Sequence, residues 1–258
     1  MAFLEPNYDD YQPSEVLRVS HAGTFGTCEV YQPRKRSRDS ELLIGIIHGW
    51  IGRGTLRPVA SQLAEHGHTV FTVDHSGWRS NDRSRAVHEA TKAATLETGM
   101  RSVLYMGHSM AAKDLLRAAR YQHEKQPPNY DFMKLVTVDG LGTNDKPFNP
   151  LAMRKEAKIH AELLKSSPIT YAEVIGRSAI NLAVRPIPRM AEVAQAVFYN
   201  ANGDVQALRQ NGVEVEHIFH RDDGVIQAPD DDRGAVFEGG HLTFAISPDN
   251  ARDIVDQV

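Results

Sequence analysis

At 258 residues the chain is long for one domain and short for two, and its 41% hydrophobic and 24% charged residues are those of an ordinary folded protein. A net charge of −4 excludes a global field that favours nucleic acid or anionic membrane, and a single cysteine, Cys28, excludes an intrachain disulfide framework or a multi-cysteine metal site. No stretch approaches the roughly 20 apolar residues of a membrane span, and the acidic start, MAFLEPNYDDYQPSE, lacks the apolar run of an export signal, so a cytoplasmic location is expected.

Two short, partly apolar runs come first. VLRVSHA (16–22) and GTCEVYQ (26–32) flank His21-Ala-Gly-Thr and predict an antiparallel pair, with Cys28 a small buried strand residue. The following loop, PRKRSRDS (33–40), carries four basic residues in five and reads as a solvated turn rather than a nucleic-acid patch. From residue 42 the pattern changes to apolar runs alternating with helical stretches. LLIGIIHG (42–49) precedes a helix over Leu56 to Glu65, and TVFTVDHSG (69–77) precedes one over Ser84 to Thr98. SVLYMGHS (102–109) leads directly into the helix MAAKDLLRAARYQ (110–122), and FMKLVTVDG (132–140) is another buried strand. Short apolar strands separated by amphipathic helices predict an α/β fold, a mostly parallel sheet covered by helices on both faces.

Residues 141–188 interrupt this rhythm. Two helices are predicted there, over 151–165 and 168–184, the second placing Tyr171, Val174, Ile175, Ala179 and Leu182 on one face. RPIP (185–188) ends the insertion. A helix near 190–200, the strand VEVEHIFH (213–220), a last strand GAVFE (234–238) and a helix from Pro248 complete the chain. The expected organisation is a core of residues 1–140 and 189–258 with a helical cap, 141–188, over the carboxyl edge of the sheet, where open α/β sheets bind ligands.

The chemistry concentrates at strand ends. In GHSMA (107–111), Ser109 lies between Gly107 and Ala111. Such a pattern arises by chance in roughly one chain in five of this length. Here an apolar strand precedes it and a helix follows at once, the setting of a nucleophile elbow. The sharp turn demands small residues two places before and after the serine, and it directs the Met110 N–H toward the helix N-terminus, where an oxyanion is stabilised. IIHGW (46–50) ends another strand in a glycine, so the Trp50 N–H can converge on the same point as that of Met110. His48 reads as a brace for this loop rather than a base.

HG after an early strand, VDHSGWRS (73–80) after the next and GHSMA after the third resemble the α/β-hydrolase superfamily, in a serine-nucleophile, cap-bearing form like its esterases and lipases. The likeness covers about residues 14–258 in motif order and spacing. It departs from the family's D-x-x-G-x-G-S turn at Arg79, where a glycine is usual. The resemblance implies a triad in the chain order Ser, acid, His. RDDGVIQ (221–227) is similar to the family's G-x-x-D-x-I/V-V-P turn and places the acid at Asp223, with His220 standing for the glycine and Gln227 for the proline. Asp222, one residue out, and Asp139, at the position a minority of the family uses, are the alternative acids. His241, after Gly239-Gly240, is the only one of the 12 histidines that follows the acid and lies between the last strand and the last helix.

The expectation is therefore a serine hydrolase in which Ser109 attacks a carbonyl carbon, His241 takes its proton, Asp223 orients His241, and Trp50 and Met110 form an oxyanion hole. The substrate is a small ester-like molecule. Trp50, Trp78, Tyr171 and Ile175 are candidate pocket residues. The same triad also serves amides, lactones, thioesters, C–C bonds and acyl transfer, and the same fold serves ligand sensors that turn nothing over. No cofactor is expected, since no Gly-rich dinucleotide loop follows the first parallel strand. No metal is expected either: His217, His220 and Asp222 sit on or beside one strand, where residues three apart point to opposite faces. Nothing in the sequence bears on oligomeric state.

Overall fold

The computed structural model describes residues 15–20, 27–34, 42–49, 56–73, 80–125, 130–140, 143, 153–166, isolated positions from 168 to 183, 199–226 and 234–256. Eight strands form one sheet: β1 Glu15–Ser20, β2 Thr27–Gln32, β3 Leu42–Ile47, β4 Thr69–Val73, β5 Ser102–His108, β6 Asp131–Val138, β7 Glu214–His220 and β8 Ala235–Phe237. Their order is β1-β2-β4-β3-β5-β6-β7-β8. The β1–β2 and β2–β4 pairs are antiparallel and the remaining neighbours are parallel. The expected antiparallel opening pair and parallel centre are both present.

The central strands read as continuous apolar runs because both faces are covered. In β3, Leu43 and Ile47 face one core, and Ile44 and Ile46 face the other. The first core lies against α2, Ser80–Thr98, α3, Ala111–Lys125, and α5, Asn202–Gln210; the second lies against α1, Arg57–Glu65, α6, Thr243–Ile246, and α7, Pro248–Val255. Helix α3 shows why a sequence rich in charge still packs: Ala111, Ala112, Leu115, Leu116, Ala118 and Ala119 recur at helical spacing and are all buried. Cys28 is fully buried in β2.

Some boundaries differ from expectation. Helix α2 begins at Ser80, a turn earlier than the apolar pattern indicates. The helix placed near 190–200 falls largely outside the described residues; the helix before β7 is α5, where only Asp204, Val205 and Leu208 are buried, too narrow a stripe to stand out among NGDVQALRQ. Short α6 was not anticipated. It is packed entirely by Phe244, Ala245 and Ile246. Between β6 and β7, α4 spans Met153–Ser166, close to the predicted 151–165. Of the predicted helix 168–184 only isolated positions are described, Val174 and Leu182 not among them.

The strand order reverses at β3. From β3 the chain moves to β4 on one side, then returns to β5 on the other. The carboxyl ends of β3 and β5 thus flank a topological switch point, where open α/β sheets form a crevice. His48-Gly49 and Ser109 stand at those two ends.

Candidate active site

The turn after β5 holds Ser109 at φ 58°, in the left-handed region that a non-glycine residue enters only when its surroundings enforce it. They do so here. Ser109 N donates to Val138 O at 2.9 Å, and Ala112 N donates to Ser109 O at 3.2 Å as α3 begins. A Cβ on Gly107 would lie 2.9 Å from Leu115 Cδ2 and 3.3 Å from the backbone of Ala111, so strand and helix close on each other only around a glycine. Ala111 itself is fully buried at the start of the helix.

Ser109, His241 and Asp223 form one hydrogen-bonded chain. His241 Nε2 lies 2.8 Å from Ser109 Oγ, and its Nδ1 lies 2.8 Å from Asp223 Oδ2. The second oxygen of Asp223 accepts from Val225 N at 2.6 Å and Ile226 N at 2.7 Å, which fixes the carboxylate plane. Ser109 and Asp223 are buried and His241 is largely so, yet the chain is electrostatically consistent. Burial alone would raise Asp223, but the His241 charge and hydrogen bond, with the two amides, hold it below the usual carboxylate range. Burial alone would lower His241, but Asp223 above all, then Asp139 and Glu156, push it up to about 9. An aspartate that stays ionised beside an imidazole that welcomes a proton is the arrangement that activates a hydroxyl.

The side where the sequence places an oxyanion hole is described in part. Met110 is buried at the head of α3, and a Cβ on Gly49 would lie 2.9 Å from Met110 N, so the β3 loop runs directly against the elbow. Trp50 lies outside the described residues, as do Trp78, Arg79 and Gln227. His48 is buried, and its Nδ1 lies 3.0 Å from Gly49 O, within its own loop. His108 packs beneath His241, with ring centroids 5.1 Å apart, and its Nε2 donates to His241 O at 2.7 Å. Burial and then the charge of His241 push His108 down to about 3, so it remains a neutral support.

The alternative acids have other partners. Asp222 bonds Lys155 Nζ at 2.9 Å on the surface and does not contact His241. Asp139 is buried and bonds His220 twice, accepting from its backbone N at 2.8 Å and meeting its Nδ1 at 2.5 Å. His220 Nε2 in turn lies 3.0 Å from Asn250 Oδ1. His220 therefore fills the usual glycine position with a buried hydrogen-bonded acid–imidazole pair, in which Asp139 raises the imidazole against its burial while burial in turn raises the Asp139 carboxyl. His217 Nδ1 meets Thr137 Oγ1 at 2.7 Å. Among the described residues, ligand-type atoms of His108, Asp139 and His241 do lie within 4.8 Å of one another. Hydrogen bonds nonetheless engage both His241 nitrogens, both Asp139 oxygens and His108 Nε2.

Of the expected pocket residues, Tyr171 is half-buried against the second core, and its hydroxyl lies 3.1 Å from His160 Nδ1. Ile175 is exposed. One residue of the site was not anticipated. Glu156, on α4, is buried and accepts from the backbone N–H of Gly224 and of His241. Its signal was present: Glu156, Ile159, His160 and Leu163 share one face of the helix at i, i+3, i+4 and i+7, which puts a carboxylate on the stripe that packs inward.

A mixed sheet in this order, with a serine elbow after β5 facing a late acid and a late histidine, is the α/β-hydrolase fold. No protein-family model matches the sequence, and no curated protein matches it. Solved structures do match in shape. A 2-hydroxy-6-oxo-6-phenylhexa-2,4-dienoate hydrolase from Rhodococcus aligns with a TM-score of 0.62 at 13% identity, covering 94% of this chain and 98% of its own. An N-formylmaleamic acid deformylase from Pseudomonas putida aligns at 0.60 and 16%, covering 94% and 100%. A thermophilic esterase from Thermogutta terrifontis aligns at 0.55 and 14%, covering 95% and 97%. Among the described residues no helix is long and apolar enough to cross a membrane.

Proposed function

We propose that the protein is a serine hydrolase that cleaves small carboxylic esters through an acyl-enzyme intermediate. The observation that carries this reading is the unbroken chain from Ser109 Oγ through His241 to Asp223, with 2.8 Å at each step. Ser109 Oγ attacks the ester carbonyl carbon as His241 Nε2 takes its proton. The tetrahedral oxyanion is met by the N–H groups of Met110 and Trp50 at the positive end of α3. The carbonyl re-forms, the C–O bond to the alcohol breaks, and the proton on His241 passes to the departing oxygen. A water molecule then repeats the sequence on the acyl-serine, releasing the acid and restoring Ser109. In this reading residues 141–188 are a cap over the carboxyl edge of the sheet, and no cofactor takes part.

An esterase, a deformylase and a dienoate hydrolase on this fold support carbonyl chemistry and leave the acyl group to the pocket. A panel of p-nitrophenyl esters of increasing chain length, with matched anilides, tests the class. Turnover of esters and fluorophosphonate labelling at Ser109, both lost in Ser109→Ala with an unchanged thermal melt, are the expected results. Ester turnover that survives Ser109→Ala overturns the proposal.

A further inference from the structure

The acid and the base of the proposed site stand on separate turns, Asp223 after β7 and His241 after β8. Backbone hydrogen bonds join the bases of these turns, Arg221 N to Phe237 O at 2.8 Å and Asp222 N to Gly239 O at 2.9 Å. The tips are joined differently. Glu156 Oε2 accepts from Gly224 N, next to Asp223, at 2.9 Å, and the two oxygens of Glu156 lie 3.1 and 3.2 Å from His241 N. One carboxylate on α4 thus holds the amide of the base itself and the amide that follows the acid. The approach is close because Gly240 has no side chain: a Cβ there would lie 2.7 Å from Glu156 Oε2 and 2.9 Å from Ile159 Cδ1. The preceding residue, Lys155, reaches the same turn through Asp222.

We infer that Glu156 is a positioning residue for the reaction, fixing the separation of Asp223 and His241 from outside the sheet so that the reactivity of Ser109 depends on the placement of α4. This rests on the serine-hydrolase reading. The hydrogen bonds of Glu156 reach His160 and the two turns, not Ser109 or the His241 ring, so it acts through the turns. Its own partners hold it in place, His160 Nε2 at 3.0 Å and, beyond it, Tyr171. Burial would raise Glu156, but the bonds from His160, Gly224 N and His241 N keep it below the usual carboxylate range, so it stays a strong acceptor. It also adds to the negative charge around His241, where Asp223 and Asp139 are the other carboxylates and His108 and His220 the neighbouring imidazoles.

Two variants separate bridging from charge. In Glu156→Gln, an amide oxygen at the Oε2 position can still accept from Gly224 N and His241 N, while the NH2 at the Oε1 position faces His160 Nε2 and gives up the second, 3.1 Å bond from His241 N. The expected result is kcat within about 5-fold of the parent and an acidic limb of the kcat profile displaced to lower pH, since one negative charge near His241 is gone. In Glu156→Ala both tips are released. A misplacement of about 1 Å costs on the order of 100-fold in rate, so kcat is expected to fall about 10- to 100-fold with KM changed less than about 3-fold. Kinetics on p-nitrophenyl esters, with a thermal melt for each variant, read these outcomes. If the Ala variant does not fold, Glu156→Met, which keeps the bulk of the side chain and accepts from neither amide, reads the same loss. A folded Glu156→Ala or Glu156→Met with parental kcat, or a Glu156→Gln as slow as Glu156→Ala, overturns the inference while loss of turnover in Ser109→Ala still upholds the hydrolase reading. Turnover that survives Ser109→Ala overturns the reading itself.

Discussion

Asn in place of Asp223 keeps the size of the side chain and removes its symmetry. Two backbone donors, Val225 N and Ile226 N, point at Oδ1. The asparagine must place its oxygen there, because an NH2 group against two N–H donors would leave all three without acceptors. Its NH2 then faces His241 Nδ1 and forces the ring proton onto Nε2, the nitrogen that lies 2.8 Å from Ser109 Oγ. The base now presents a proton where it needs a lone pair. The loss expected from a wrong tautomer with intact geometry is about 10⁴ in kcat, or about 5 kcal/mol in the barrier. Since Asp223 is the leading cause that raises His241, the residual activity should also titrate at lower pH. Steady-state kinetics on an aryl ester from pH 5 to 10 measure both effects. Asp222→Asn is the control: its partner Lys155 is well exposed, and surface pairs of this kind contribute about 0–1 kcal/mol, so activity should stay within about 2-fold. Retention of more than a tenth of the parental kcat in Asp223→Asn, with abolition in a folded Asp139→Asn, would refute the assignment of the acid.

Two further outcomes follow from the electrostatics. Because His241 is pushed up to about 9 from 6.5, kcat/KM should rise with pH and level off only near pH 9, as the base must be neutral to take the Ser109 proton. The sign for stability is the reverse: a raised imidazole stabilises the fold fully below about pH 6.5 and loses that contribution as pH climbs through 9, so melts recorded from pH 6 to 10 should decline where activity climbs. Asp114 is fully buried, forms an ion pair with Arg83 at 2.9 Å, and lies 3.8 Å from buried Lys113. Asp114→Ala removes the carboxylate these cations share and should cost about 3–5 kcal/mol in urea unfolding, whereas a loss below 1 kcal/mol would show the cluster to be electrostatically idle.

Strand and helix were legible where period and punctuation agreed. Continuous apolar runs ending in Gly49, His108 and Gly140 marked β3, β5 and β6, and the step from strand to helix around Ser109 was visible because the small residues Gly107 and Ala111 have no other local purpose. What stayed hidden depends on partners far away in sequence. α5 buries one narrow stripe, so its pattern is faint; α6 is four residues long and exists only because the second core accepts Phe244 and Ile246. The proposed acid could be placed only by analogy, since the three candidate aspartates after β6 and β7 are not ranked by composition. Their ranking comes from what each one touches: Lys155 for Asp222, His220 for Asp139 and His241 for Asp223.

The departure at residue 220 has its counterpart at the end of β6. A histidine at 220, where the resemblance calls for glycine, brings an imidazole into a fully buried place behind the site. Left alone it would either lose its charge or destabilise the sheet. Asp139 answers it from the end of β6, with its backbone in the left-handed region at φ 46° and its carboxylate on both the amide and the ring of His220. The two residues therefore form one unit: the backbone N and ring of His220 take both oxygens of Asp139, and Asp139 gives the buried imidazole its partner. Asp223 is left facing His241, with the amides of Val225 and Ile226 holding its other oxygen. In a Asp139→Asn protein this division should weaken from the His220 side, by lost stability, well before it weakens at Ser109.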